Sequence, residues 1–142
     1  MMVSTKGRYA LRVMVDLAEH NNGKFIPLKD IAQRQELSLK YLESIVSVLA
    51  KAHFVKGQHG KGGGYQLSRN PDEYSVGSIL KLTEGTLAPV VCLGKNSYDC
   101  SRAGKCKTLP MWRELDQLIE NYLAGITLGD LVNQIAKGED TI

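Results

Sequence analysis

The chain has 142 residues, 43% hydrophobic and 23% charged, with a formal net charge of +3. That length suits one well-buried core or a small domain plus an extension, and the charge is too modest for a general polyanion binder. No apolar run approaches the ~20 residues that span a bilayer and no signal-peptide core is present, so a cytoplasmic protein without a membrane partner is expected.

Ser4-Thr5-Lys6-Gly7-Arg8 leads into a first helix whose apolar face comprises Tyr9, Leu11, Val13, Met14, Leu17 and Ala18, ended by Asn21-Asn22-Gly23. Lys6, Arg8 and Arg12 lie near its start and suit phosphate contact or plain solvation equally. After the extended Phe25-Ile26-Pro27, Leu28, Ile31 and Ala32 recur at i, i+3, i+4 and predict a short helix over 28–35. A break at Glu36-Leu37 precedes Ser38, a good N-cap for the next run. In that run Leu39, Leu42, Ile45, Val46 and Leu49 are expected on one face, leaving Ser38, Lys40, Tyr41, Glu43 and Ser44 outward or at the start. A helix with a polar N-terminal end behind a tight turn has the form of a major-groove recognition helix. Two strands follow, over 54–57 and 65–68, with the tip His59-Gly60-Lys61-Gly62-Gly63-Gly64 between them; a glycine-rich tip lets backbone approach another surface closely. The fold class is therefore mainly α with a small β-wing: a winged helix-turn-helix.

Such a unit also serves as plain scaffold or protein-docking module, and charge decides between them. Residues 1–70 carry eleven Lys/Arg against five Asp/Glu, whereas residues 71–142 carry seven against ten. The basic excess lies in the half that holds the reading head, as nucleic-acid binding requires.

Arg69-Asn70-Pro71-Asp72 is a turn. Ser75 is expected to cap a helix through Val76, Ile79, Leu80 and Leu82, ended near Gly85. Residues 86–107 form a long loop holding all three cysteines, and loops of this length are functional or disordered. Thr108 is expected to cap, and Pro110 to occupy the first turn of, a long helix striped by Trp112, Leu115, Leu118, Ile119, Tyr122 and Leu123. That stripe could pack onto its own domain, but a small winged head has little surface to cover it, so a dimerisation helix is expected at least equally. Gly125 closes it. Thr127-Leu128-Gly129-Asp130 resembles a capping box for a last helix reaching Ala136. Three units follow: 1–85 for DNA binding, 86–107 as the cysteine loop, and 108–142 for dimerisation.

Cys92, Cys100 and Cys106 are spaced Cys-x7-Cys-x5-Cys. The odd count argues against a disulfide framework, and the lack of a Cys-x2-Cys pair disfavours a zinc ribbon. Lys95, Arg102, Lys105 and Lys107 accompany them, and cations near thiols favour the thiolate that ligates metal and reacts with oxidants. Three thiolates suit an iron–sulfur cluster with one other ligand, or a metal with an open position.

Ser4-Thr5-Lys6-Gly7-Arg8-Tyr9-Ala10-Leu11-Arg12, Ile31-Ala32, Ser38-x-x-Tyr41-Leu42-Glu43, Gly62-Gly63-Gly64-Tyr65-x-Leu67, Glu84-Gly85 and the cysteine triplet together resemble the IscR group of bacterial regulators, over nearly the whole chain. The resemblance implies a homodimer on a two-fold symmetric DNA operator, recognition helices in major grooves and wings near minor grooves. It implies a [2Fe-2S] cluster held by Cys92, Cys100 and Cys106, whose occupancy changes which DNA sites are bound. Base contacts of the group map to Ser38, Lys40 and Glu43, the last able to accept from cytosine N4. Two departures stand out. Three residues after the last cysteine, where relatives often carry a ligating histidine, stands Leu109; His20, His53, His59, Asp99 or a partner-subunit group remain open as substitutes. The wing position where relatives often present an arginine is His59, a weaker minor-groove probe, with Lys61 nearby to compensate. The rival expectations are a cluster-free thiol- or nitric-oxide-sensing regulator and a small redox protein. The latter lacks any dinucleotide fingerprint, Cys-x-x-Cys pair or acid/base constellation, so no enzyme is expected.

Overall fold

A computed structural model describes residues 2–93 and 104–133. The elements run α1 (Thr5–Glu19), α2 (Leu28–Gln35), α3 (Leu39–Lys51), β1 (Val55–Gln58), β2 (Gly64–Leu67), α4 (Val76–Glu84) and α5 (Leu109–Ala124), with 3-10 turns at Pro71–Glu73 and Val91–Leu93 and residues 128–133 helical again. This is the expected class, mostly helical with one two-stranded antiparallel sheet.

The caps explain where the helices start. Ser4, Ser38 and Ser75 each accept a hydrogen bond from the backbone N–H three residues on, satisfying a donor the helix leaves unpaired. Glu36 ends α2 in the left-handed conformation (φ 56°, ψ 46°), and this single residue makes the turn of the helix-turn-helix. Ala10, Val13, Met14 and Leu17 of α1 meet Ile31 of α2, Leu42, Ile45, Val46 and Leu49 of α3, and Ile79 of α4 in one buried core. Tyr74 lies within that core. Its hydroxyl donates to the Phe54 carbonyl (2.6 Å) and accepts from the N–H groups of Ser68 and Arg69 (3.1 Å each), tying the root of the wing to the turn before α4.

The far end of the chain returns to this head. Ser75 and Thr127 form an isolated bridge: the Val76 N–H donates to the Ile126 carbonyl (2.8 Å) and the Leu128 N–H to that of Tyr74 (2.9 Å). Leu128 is wholly buried in the main core. Thr127 and Asp130 cap the following turn reciprocally, each side chain accepting from the other's N–H at 3.0 Å, as the capping-box pattern predicts; Ala136 lies outside the described residues.

Four expectations are corrected. Leu39, the first residue of α3, does not join its buried face and is 47% exposed. Thr108 precedes α5 but makes no side-chain cap, its hydroxyl lying 3.3 Å from Cys106 Sγ instead. The α5 stripe splits. Ile119 and Leu123 pack against Val76, Leu80 and Leu87, while Leu115, Leu118 and Tyr122 are exposed together with Met111. Strand pairing also shifts by a residue at each end, to Val55↔Leu67 through Gln58↔Gly64.

Candidate nucleic-acid interface and cysteine loop

The N-terminal end of α3 is a polar, accessible feature of the head. Ser38, Lys40, Glu43 and Ser44 are exposed and Tyr41 is half-buried. Ser38 Oγ accepts from the Tyr41 N–H (3.1 Å), and Ser44 Oγ donates to the Tyr41 carbonyl (2.7 Å), so the two hydroxyls frame Tyr41. With Lys40 these residues line an open concavity. Groups that donate and accept, at a helix end carrying partial positive charge, are suited to phosphates and base edges.

What holds α3 at this angle is a chain of contacts reaching back through α1 and α2. The Tyr41 ring meets the Tyr9 ring edge-on, with centroids 5.9 Å apart. Arg12 lies over Tyr9 at 4.9 Å and donates to both the side-chain oxygen and the backbone carbonyl of Gln35. Gln35 in turn donates to Asp16 Oδ2 (3.0 Å), beside the two-pronged grip of Arg34 on the same carboxylate (3.0 and 2.8 Å). Asp16 is only 1% exposed. Burial opposes its charge, but the hydrogen bonds from Arg34 and Gln35 and the attraction of Arg34 and His20 outweigh that, holding the carboxyl below its usual range. This network is not evident from the sequence. Its one signal is a carboxylate set among Val13, Met14 and Leu17 on the apolar face of α1, where an unpaired charge would be prohibitive.

Lys6 and Arg8 sit in the first turn of α1, Arg8 donating to Thr5 Oγ1 (3.3 Å) and lying 5.9 Å from the Tyr9 ring centre. The basic start of α1 and the polar start of α3 therefore meet through the Tyr9–Tyr41 contact. The wing is anchored separately. Ile26 and Tyr65 exchange both backbone hydrogen bonds (2.8 and 2.9 Å), adding a one-residue third strand at its root. Gly64 sits at φ 148° against the Ile26 backbone, where a Cβ would collide with the Ile26 carbonyl. His59 and Lys61 are exposed at the tip beyond this anchor.

Of the three cysteines, Cys92 is exposed in the turn at Val91–Leu93, Cys106 is half-buried, and Cys100 lies outside the described residues, as does Asp99. Accessible thiols are the right donors for a thiolate-held centre, and to that extent the residues fit an iron–sulfur cluster. Leu109 is buried and offers no donor. Among the described residues no three His, Cys, Asp or Glu side chains gather closely enough to hold a metal ion; His20 lies 2.8 Å from the Asp16 carbonyl, His53 just after α3 and His59 on the wing.

The loop leaves the head at a defined latch. Glu84, the last residue of α4, accepts from both the N–H and the hydroxyl of Ser4 at 2.7 Å. Gly7 packs so close to this carboxylate that a Cβ there would collide with it. Met2, Val3, Glu84, Thr86, Leu87 and Ala88 line a small cavity at the same spot, so the start of the cysteine loop abuts the start of α1. Among the described residues no helix is long and apolar enough to cross a membrane.

Comparison with known proteins adds to this geometry. A family model described as "Rrf2: Iron-dependent Transcriptional regulator" matches residues 3–134. The chain is 39% identical over 142 residues to the HTH-type transcriptional regulator IscR of Aliivibrio salmonicida, covering 99% of this chain and 83% of that one. It superposes on the structure of CymR (YrzC), the global cysteine regulator of B. subtilis, with a TM-score of 0.77 at 35% identity, over 94% of this chain and 98% of that one. It superposes on T. potens IscR with a TM-score of 0.74 at 38% identity, over 95% and 88% of the two chains.

Proposed function

The chain belongs to the Rrf2 family of transcriptional regulators, and from that premise we propose that it is a cytoplasmic iron–sulfur sensor that binds DNA as a homodimer. Residues 1–85 read a two-fold symmetric operator, residues 86–107 sense, and residues 108–142 dimerise. Ser38, Lys40, Tyr41, Glu43 and Ser44 enter the major groove, Lys6 and Arg8 contact phosphate, and His59 and Lys61 probe the minor groove. Dimerisation through α5 is supported by Met111, Leu115, Leu118 and Tyr122, which follow one another at helical spacing and lie uncovered.

The single observation that carries the sensing role is the Ser4–Glu84 latch. It joins the last residue of α4, two residues ahead of the cysteine-bearing segment, to the N-cap of α1 in the DNA-reading head. Cys92, Cys100 and Cys106 would hold a [2Fe-2S] cluster, which when bound supplies an iron- and redox-responsive tie within the loop. Glu84 then transmits the altered position of Thr86 and Leu87 to Ser4, and α1 transmits it through Tyr9 to Tyr41.

A second reading, a cluster-free thiol-responsive regulator, is favoured by Leu109, which removes a donor, and by likeness to the B. subtilis cysteine regulator. Iron and acid-labile sulfide per chain, with a visible spectrum, measured on protein made and purified without oxygen, separate the two. The cluster reading expects about two of each per chain. Colourless protein that also resists reconstitution overturns it in favour of thiol chemistry.

A further inference from the structure

Within α3, Leu42, Ile45, Val46 and Leu49 are all but fully buried, whereas Leu39 is 47% exposed. A single exposed leucine is ordinary on a protein surface; what distinguishes this one is its place. It is the first residue of the helix read above as entering the major groove, between the exposed Ser38 and Lys40, and one turn ahead of the exposed Glu43. Leu39 and Glu43, four residues apart, share a helical face. Around Leu39 the exposed groups can all form hydrogen bonds, and Leu39 alone cannot. The major groove of DNA displays donors and acceptors on every base pair and only one apolar group, the thymine 5-methyl.

We propose that Leu39 is a specificity residue whose side chain packs on a thymine methyl in each half-site. The inference rests on the reading of α3 as the recognition helix and adds to it a base preference. Against any other base, Leu39 would cover a polar edge that it cannot satisfy, leaving a desolvated donor or acceptor. Since Glu43 accepts best from cytosine N4, and one helical turn of ~5.4 Å spans about one to two base-pair steps, the thymine lies within about two base pairs of the base that Glu43 reads.

The test uses full-length protein and duplexes that it enriches from a random-sequence pool. Each thymine of an enriched half-site is replaced in turn by uracil, which removes only the methyl. At one position per half-site the replacement should weaken wild-type binding about fourfold, the factor expected for one methyl-sized group. Leu39→Ala should bind the thymine and uracil duplexes equally there while keeping a melting temperature close to wild type, because the side chain is 47% exposed and lies outside the buried core. Wild-type affinity that is indifferent to every uracil overturns the proposal without touching the recognition-helix reading. So does an undiminished uracil penalty in Leu39→Ala, since another group then reads the methyl. Failure of any duplex to be enriched overturns the recognition helix and the proposal together.

Discussion

Replacing Asp16 by asparagine tests whether the buried carboxylate organises the three helices around it. The substitution keeps shape and removes charge. Breaking a buried ion pair by deleting one partner costs ~3–5 kcal/mol when the survivor is also buried. Here the surviving Arg34 side chain is 36% exposed and recovers hydration, which lowers the cost to about 2–3 kcal/mol. For a chain of this size that is a fall in melting temperature of ~6–12 °C at fixed protein concentration. The reverse deletion, Arg34→Leu, strands a carboxylate only 1% exposed and should cost more, about 3–5 kcal/mol. The pH dependence supplies a second check. Because the folded carboxyl titrates below its usual value of 3.8, its contribution is fully present above that value. It disappears as pH falls through the folded value. Urea titrations of wild type and Asp16→Asn should therefore differ by a constant amount near neutrality and converge in acid. A gap that persists unchanged into acid, or Arg34→Leu proving milder than Asp16→Asn, would mean that the buried charge of Asp16 does not hold these helices together.

Tyr74→Phe leaves the Ser68 and Arg69 N–H groups without the hydroxyl that accepts from both. It should cost about 2–3 kcal/mol at unchanged urea m-value; a loss under ~1 kcal/mol would mean water replaces the hydroxyl. Gly64→Ala should break the bridge to Ile26, seen as lost hydrogen-exchange protection of the Tyr65 amide while amides in the middle of α3 remain slow. Lys61→Ala should weaken binding to all duplexes alike and reduce the slope of log K against log salt by about one. Glu43→Ala should instead change which sequences are enriched, and identical effects of both on every duplex would sink that division of roles.

Much of the head is legible in the sequence because its cues are local. Ser38 and Ser75 announce helix starts, Gly85 and Gly125 announce ends, and the 3.6-residue spacing of Leu42, Ile45, Val46 and Leu49 marks the face that packs. The polar start of α3 and the glycine-rich wing are visible for the same reason. Local pattern fails where a contact spans the chain. Periodicity counts Leu39 into the stripe, since spacing alone does not show which positions of a helix its neighbours cover. It could not pair Asp16 with Arg34 and Gln35, or Ser4 with Glu84, since nothing in either segment names the other. Thr108 has the right type and place for a cap, yet its hydroxyl is turned toward Cys106, a preference set by the loop rather than by the helix.

The stitch between Ser75 and Thr127 bears on how the protein is made. Synthesis is vectorial, and the segments that build the reading head emerge first. The core of that head nevertheless includes Leu128, and the strand-like pairing beside Tyr74 waits for Ile126 and Leu128. A nascent chain can form α1 to α4 and the wing, but the last wholly buried leucine arrives only after the cysteine loop and α5 have been translated. A product terminated before Leu128 is therefore left with an unfilled place in the core of its head.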